Sequence, residues 1–181
     1  QAGMHEPFPP VRVDGLVTAG QAVTLGKLSL MPVATPGHTP GALSWQWTSC
    51  EAQQCKVLVY ADSLSPVSSD SYRFSQHLSY LKAYRAGLDK LATLECQILL
   101  TPHPSASNMR TRLQSSEGLS DANGCVMYSQ AVKQRLQKRL TEETAASTGA
   151  VASETATTAV TVADWLAHSS ATDWRELDAK N

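Results

Sequence analysis

Leu43-Ser-Trp-Gln-Trp-Thr48 and Lys56-Val-Leu-Val-Tyr60 stand on either side of Cys50-Glu-Ala-Gln-Gln-Cys55. Both flanking runs are rich in aromatic and β-branched residues, and a period of two puts Trp45 and Trp47 on the same face, so the stretch predicts a β-hairpin. The cysteine spacing suits a bridge across the hairpin end.

Working outward, Val11 to Val17, Ala22 to Leu25 and Leu28 to Val33 alternate as short antiparallel strands, punctuated by Gly15, Gly20 and Gly26. On the other side, Leu78, Leu81, Tyr84, Leu88 and Leu91 recur on one face of an amphipathic helix spanning about Gln76 to Ala92. A strand from Gln97 to Thr101 then ends at Pro102-His103-Pro104, where two prolines stop ladder and helix alike and place His103 on a rigid turn.

A last helix, Met127 to Leu140, is expected to bury Val132, Leu136 and Leu140 and to turn Lys133, Arg135, Lys138 and Arg139 outward as a solvated face. From Thr144 onward the composition shifts to Ala, Thr, Ser and Val, which reads as a tail. Its end, Val162 to Ala167 and Thr172 to Leu177, could form short helices docking through Trp165 and Trp174.

The chain has 181 residues, 42% of them apolar, enough for one domain with a core. Fifteen basic residues against sixteen acidic ones leave no broad field to gather nucleic acid or an anionic membrane. No apolar run approaches the roughly 20 residues that cross a bilayer. The cysteines at 50, 55, 96 and 125 include no C-x-x-C pair, which favours two disulfides and an oxidising compartment over structural zinc.

Chemistry concentrates at two turns. His38 lies in Thr35-Pro-Gly-His-Thr-Pro-Gly41, where glycines allow tight turns and prolines stiffen the approach. His103 is held in the same manner. Either alone reads as a turn histidine bonded to backbone. Two rigidly held imidazoles at strand ends make metal binding plausible, since neutral imidazole is the commonest zinc ligand.

Pro36-Gly-His-Thr-Pro-Gly41, Tyr60-Ala-Asp-Ser-Leu-Ser65 and Leu100-Thr-Pro-His-Pro-Ser-Ala-Ser-Asn108, in that order and spacing, resemble the metallo-β-lactamases of the third subclass, B3. The resemblance runs from about Phe8 to Leu140. It implies an α/β (α+β) fold, the carboxy-terminal half of an αββα sandwich, with a mostly antiparallel sheet and flanking helices. It further implies that His38 is a ligand of a first zinc and His103 of a second.

By the same resemblance, Ser63 and Ser65 contact the carboxylate of the β-lactam or a second-site water, Asp62 is structural support, and no side chain of this chain is itself catalytic. Metal-activated water would attack the lactam carbonyl. Cys96 would pair with Cys125 and Cys50 with Cys55, in a periplasmic enzyme.

The family's His-x-His-x-Asp-His motif is absent: histidine occurs only at 5, 38, 77, 103 and 168. With one imidazole per metal, against the three protein ligands a catalytic zinc takes, the chain alone is expected to bind zinc weakly and to be inactive. The expected division is a half-domain over 1–143 and a tail over 144–181, with the missing amino-terminal half as partner and no nucleic-acid or membrane partner. Without that half, the exposed sheet face predicts an oligomeric or poorly soluble chain. The other readings are a lactone or thioester hydrolase of the same fold and a non-catalytic remnant.

Overall fold

The computed structural model describes residues 9–69 and 71–157, with side chains as far as 147. Two compact units divide the chain at Thr141/Glu142. In the first, a five-stranded sheet runs in the order β1 (Val23–Leu25), β2 (Leu28–Ala34), β3 (Leu43–Glu51), β4 (Gln54–Tyr60) and β5 (Ile98–Leu100). The helices are α1 (Leu78–Ala92), the short α2 (Met109–Leu113) and α3 (Gly124–Thr157).

The hairpin forms as its sequence predicts. Trp45 opposes Tyr60, Trp47 opposes Leu58 and Cys50 opposes Cys55, whose sulfurs are bonded. The turn is left to Ala52 and Gln53, and Ala52 takes a φ of 52°. Left-handed backbone costs an alanine roughly 1–2 kcal/mol, a penalty glycine escapes. Ala52→Gly is therefore expected to stabilise the chain by about 0.5–1 kcal/mol, read as a raised denaturation midpoint; a lowered midpoint would contradict this turn geometry.

Strands β1 to β4 form an antiparallel meander, and α1 carries the chain from β4 across to a parallel β5. The register separates two faces. Val33, Ser44, Val59 and Leu99 are buried on one face, where Val59 and Leu99 meet Leu81, Tyr84, Leu88 and Leu91 of α1 and Tyr128, Val132 and Leu136 of α3. Ser129 of α3, buried on this contact, donates to the carbonyl of Leu88 at 2.8 Å, so its hydroxyl is satisfied. The second disulfide, Cys96–Cys125, is buried in this core and ties the approach to β5 to the first turn of α3.

The opposite face presents Leu30, Leu43, Trp45, Trp47, Leu58, Tyr60, Ile98 and Leu100, all of them only half-buried. A sheet with an apolar stripe on each side needs cover on both.

Three expectations need correction. Val11 to Val17 is no strand: it pairs with nothing among the described residues, and Val11, Val13 and Leu16 are 80%, 69% and 92% exposed. Its alternation suits a ladder, but none of the described strands pairs with it.

Helix α3 does not stop at Leu140. Its amphipathic stripe ends there, yet the described part of the second unit is helical through Thr157, although threonine, serine, glycine and valine, all weak helix formers, are prominent in that run. Residues 162–177 lie outside the described residues.

Nor are all four basic residues of α3 solvated. Arg135 lies over the Tyr128 ring at 5.9 Å, with Nε and Nη2 buried and without hydrogen-bond partners among the described residues. Arg139 donates to Ser68 Oγ and the Tyr72 carbonyl, each at 3.3 Å. A guanidinium on a long apolar stem can cover neighbouring surface as readily as leave it.

Helix α2 went unforeseen. Pro104–Ser107 forms a 3-10 turn, and Asn108 adopts a left-handed φ of 53° before α2 begins. Asparagine tolerates that conformation better than most residues.

Candidate active site

β2 and β4 both run antiparallel to β3, and β5 runs parallel to β4. The carboxy-terminal ends of β2, β4 and β5 therefore emerge at one end of the sheet. His38 follows β2, the Asp62–Ser65 segment follows β4, and His103 follows β5, so the topology delivers every sequence-predicted site residue to the same sheet end. Across three strand spacings, the ends of β2 and β5 lie about 14 Å apart.

Hydrogen bonds then draw the loops together. The neck of the His38 loop is closed by Thr35 N–H donating to Ala42 O at 3.1 Å. Buried Thr35 and Ser44 share a hydroxyl bond of 2.7 Å, and Ser44 Oγ also accepts from Asp62 N–H at 3.2 Å. This chain of polar groups links the β2 loop, through β3, to the β4 loop. Asp62 Oδ1 accepts from Ser63 N–H at 2.7 Å, which commits one carboxylate oxygen to shaping its own turn.

The β5 turn is anchored in turn. Ala61 N–H donates to Leu100 O at 2.9 Å, joining the end of β4 to the end of β5. Thr101 Oγ1 bonds His103 O at 3.0 Å and Ser107 Oγ at 2.8 Å, and Ala106 N–H donates to His103 O at 2.9 Å. The backbone of His103 is fixed while its imidazole is exposed; His38, Ser63 and Ser65 are half-buried.

The loops also touch sterically. A Cβ on Gly37 would lie 2.8 Å from Leu64 Cδ2 and 3.1 Å from the Tyr84 ring. Glycine before His38 is thus a packing requirement, because only a bare Cα lets the His38 loop close onto the serine loop. Beside His38 a cleft of about 150 Å³ opens between Thr39, Pro40, Ser68, Ser69, Tyr72 and Tyr80.

Tyrosines of α1 and α3 back the site. Burial pushes the Tyr80 hydroxyl up to about 12, with Tyr72 nearby adding to it. Burial raises Tyr84 further, chiefly by desolvation. Tyr128 is raised by burial too, opposed by a hydrogen bond from the Leu64 backbone and by Arg135. All three hydroxyls are therefore neutral at physiological pH. Sequence reading missed their role, and that of Thr35 and Ser44, because it placed Tyr84 on the apolar helix face and read Ser44 only as part of a strand.

No protein-family model matches the chain. Solved structures do. MIM-2 metallo-β-lactamase is 56% identical over 75% of this chain and 50% of its own, with a TM-score of 0.70. MIM-1 from Novosphingobium pentaromativorans is 46% identical over 80% of this chain and 54% of its own, TM-score 0.74. MEM-A1, a subclass B3 metallo-β-lactamase from a soil metagenome library, is 33% identical over 80% of this chain and 58% of its own, TM-score 0.74.

The chain belongs to the subclass B3 metallo-β-lactamases and shares their fold over the matched residues. It spans about half the length of these relatives.

The relatives are metallo-enzymes by name, so the donors here can be tested against a metal. Among the described residues, no three His, Cys, Asp or Glu side chains converge to hold an ion. Two imidazoles at one sheet end suit part of a zinc donor set, but a catalytic zinc takes three protein ligands. The described residues do not complete a site.

Proposed function

We propose that this chain is the carboxy-terminal half of a zinc β-lactamase, and that the complete enzyme hydrolyses the β-lactam amide bond. The observation that carries the proposal is the delivery of His38, Ser63, Ser65 and His103 to one end of a sheet whose second face is apolar and half-exposed. Such a face calls for a second layer, and the chain's span of half its relatives agrees with that need.

In this reading His38 and His103 each give one imidazole to a pair of zinc ions, with the other ligands coming from the amino-terminal half. Zinc, when bound, polarises the lactam carbonyl and acidifies water to a pKa near 7. The hydroxyls of Ser63 and Ser65 hold the antibiotic's carboxylate beside the metals and are not acylated. Two disulfides suit a periplasmic enzyme. Among the described residues no helix is long and apolar enough to cross a membrane. The balanced charge leaves no field for nucleic acid or anionic lipid.

Complementation tests the proposal. Alone, the chain is expected to sediment as oligomers, hold less than one zinc and turn over no antibiotic. Mixed with a separately expressed amino-terminal half carrying the His-x-His-x-Asp-His motif, it should form a one-to-one complex that retains up to two zinc ions and hydrolyses a chromogenic cephalosporin and a carbapenem. A compact, stable monomer without partner, or a complex without zinc, would sink the proposal. A lactone and a thioester assayed alongside decide between hydrolases, since faster turnover of either displaces the lactam as substrate.

A further inference from the structure

We infer that Tyr80 and Tyr84, one turn apart on α1, are a pair of positioning residues, the first setting the His38 loop and the second the Ser63–Ser65 loop. Tyr80 Oη donates to the carbonyl of Gly37 at 2.7 Å. Tyr84 Oη donates to the carbonyl of Leu64. The first of these peptides leads directly into His38, and the second lies between the two serines.

Residues four apart share a helix face, and the two rings stand 6.5 Å apart. Gly87 extends the stripe: a Cβ there would lie 3.1 Å from Thr35 Cα and 3.2 Å from Pro36 Cδ, so α1 approaches the neck of the His38 loop at backbone distance. A mid-helix glycine costs about 1 kcal/mol relative to alanine, and here it admits that approach. One rigid helix thereby contacts both loops and fixes their separation.

Neither hydroxyl is required for packing. Phenylalanine keeps the ring and removes only the donor, which leaves the Gly37 or Leu64 carbonyl without it. The assignment of metal ligation to His38 and substrate contact to the serines rests on the function proposed above; the two hydrogen bonds do not.

The test uses Tyr80→Phe and Tyr84→Phe. In the 15N-labelled chain, alone and with the amino-terminal half, Tyr80→Phe should displace the backbone amide of His38 and leave that of Ser65 in place. Tyr84→Phe should do the reverse, because each amide belongs to the peptide that loses its donor. In the complemented enzyme, Tyr80→Phe should loosen zinc several-fold against a competing chelator. Tyr84→Phe should raise KM for the cephalosporin several-fold with kcat within about twofold, as loss of uniform binding does.

Amides that stay put in variants with unchanged melting overturn the inference, as do two variants that move both sets of readouts alike. An amide split accompanied by wild-type zinc retention and KM overturns the positioning role. If the amides split and zinc loosens in a complex that hydrolyses no lactam, the function proposed above fails and the positioning stands.

Discussion

Replacing Cys96 and Cys125 together by serine is expected to lower the stability of the chain by about 4 kcal/mol, close to the limit of what a single bridge contributes. The bond spans 29 residues, and cross-linking a loop of that length removes roughly 3.6 kcal/mol of denatured-state entropy in the chain-entropy account. Both cysteines are buried, 4% and 0% exposed, so two serine hydroxyls would enter an apolar core and add desolvation cost. The five-residue Cys50–Cys55 bridge is the internal control. Its loop is short and its residues are exposed, and the same relation gives it only about 2 kcal/mol. Guanidinium unfolding of the two double variants should therefore place the Cys96/Cys125 pair well below the Cys50/Cys55 pair. Equal midpoints would show that the buried bridge does not order the denatured ensemble as argued. The consequence reaches the site, because Cys96 stands two residues before β5, the strand that ends at the turn of His103.

Much of the fold was legible because local pattern and tertiary demand coincide. In the β3–β4 hairpin, alternation, loop length and paired cysteines all specify one register, and the register formed. Helix α1 and strand β5 were legible from periodicity and from the Pro102-His-Pro104 stop. Where local and tertiary signals part, the reading failed. Val11 to Val17 has strand-like alternation and no strand partner among the described residues, since pattern reports a capacity to pair and says nothing of a neighbour. The run after Leu140 has no amphipathic stripe and a mixed Ala, Thr and Ser composition, yet it is helical through Thr157, so neither periodicity nor propensity announced it. Arg135 and Arg139 read as solvated because their spacing gives helix phase but not the proximity of Tyr128 or Ser68.

The candidate site divides in the same way. His38 and His103 stand out in sequence by the prolines and glycines around them, and Ser63 and Ser65 through a resemblance of motifs. The groups that hold their loops do not stand out. Tyr84 occupies an apolar helix position and was read as core, which it also is; that its hydroxyl meets the Leu64 carbonyl depends on how α1 crosses the sheet end. Gly37 reads as a turn glycine, whereas the structure shows a contact glycine beneath Leu64. Its necessity comes from a residue 27 positions away in sequence and adjacent in space.

In the complemented enzyme, His38→Ala and His103→Ala are each expected to cut activity by considerably more than the ~10–100-fold that loss of a supporting residue around a metal ligand costs, because each would remove a ligand outright. Each variant should also differ from the parent in zinc content. Both turns are braced by backbone hydrogen bonds that do not involve the imidazole, Thr35 N–H to Ala42 O in one and Thr101 Oγ1 with Ala106 N–H to His103 O in the other. Truncating either side chain should therefore leave the fold intact, and the melting temperatures of the complexes should agree with the parent. With the scaffold unchanged, lost activity must arise at the metals. If the two histidines serve different ions, each variant loses about one zinc, and the double variant loses both with little further loss of turnover, since residues acting as one unit are not additive. Two single variants that each keep full zinc and near-parental turnover would return His38 and His103 to the plain reading of turn histidines, and the lactamase assignment of this sheet end would go with them.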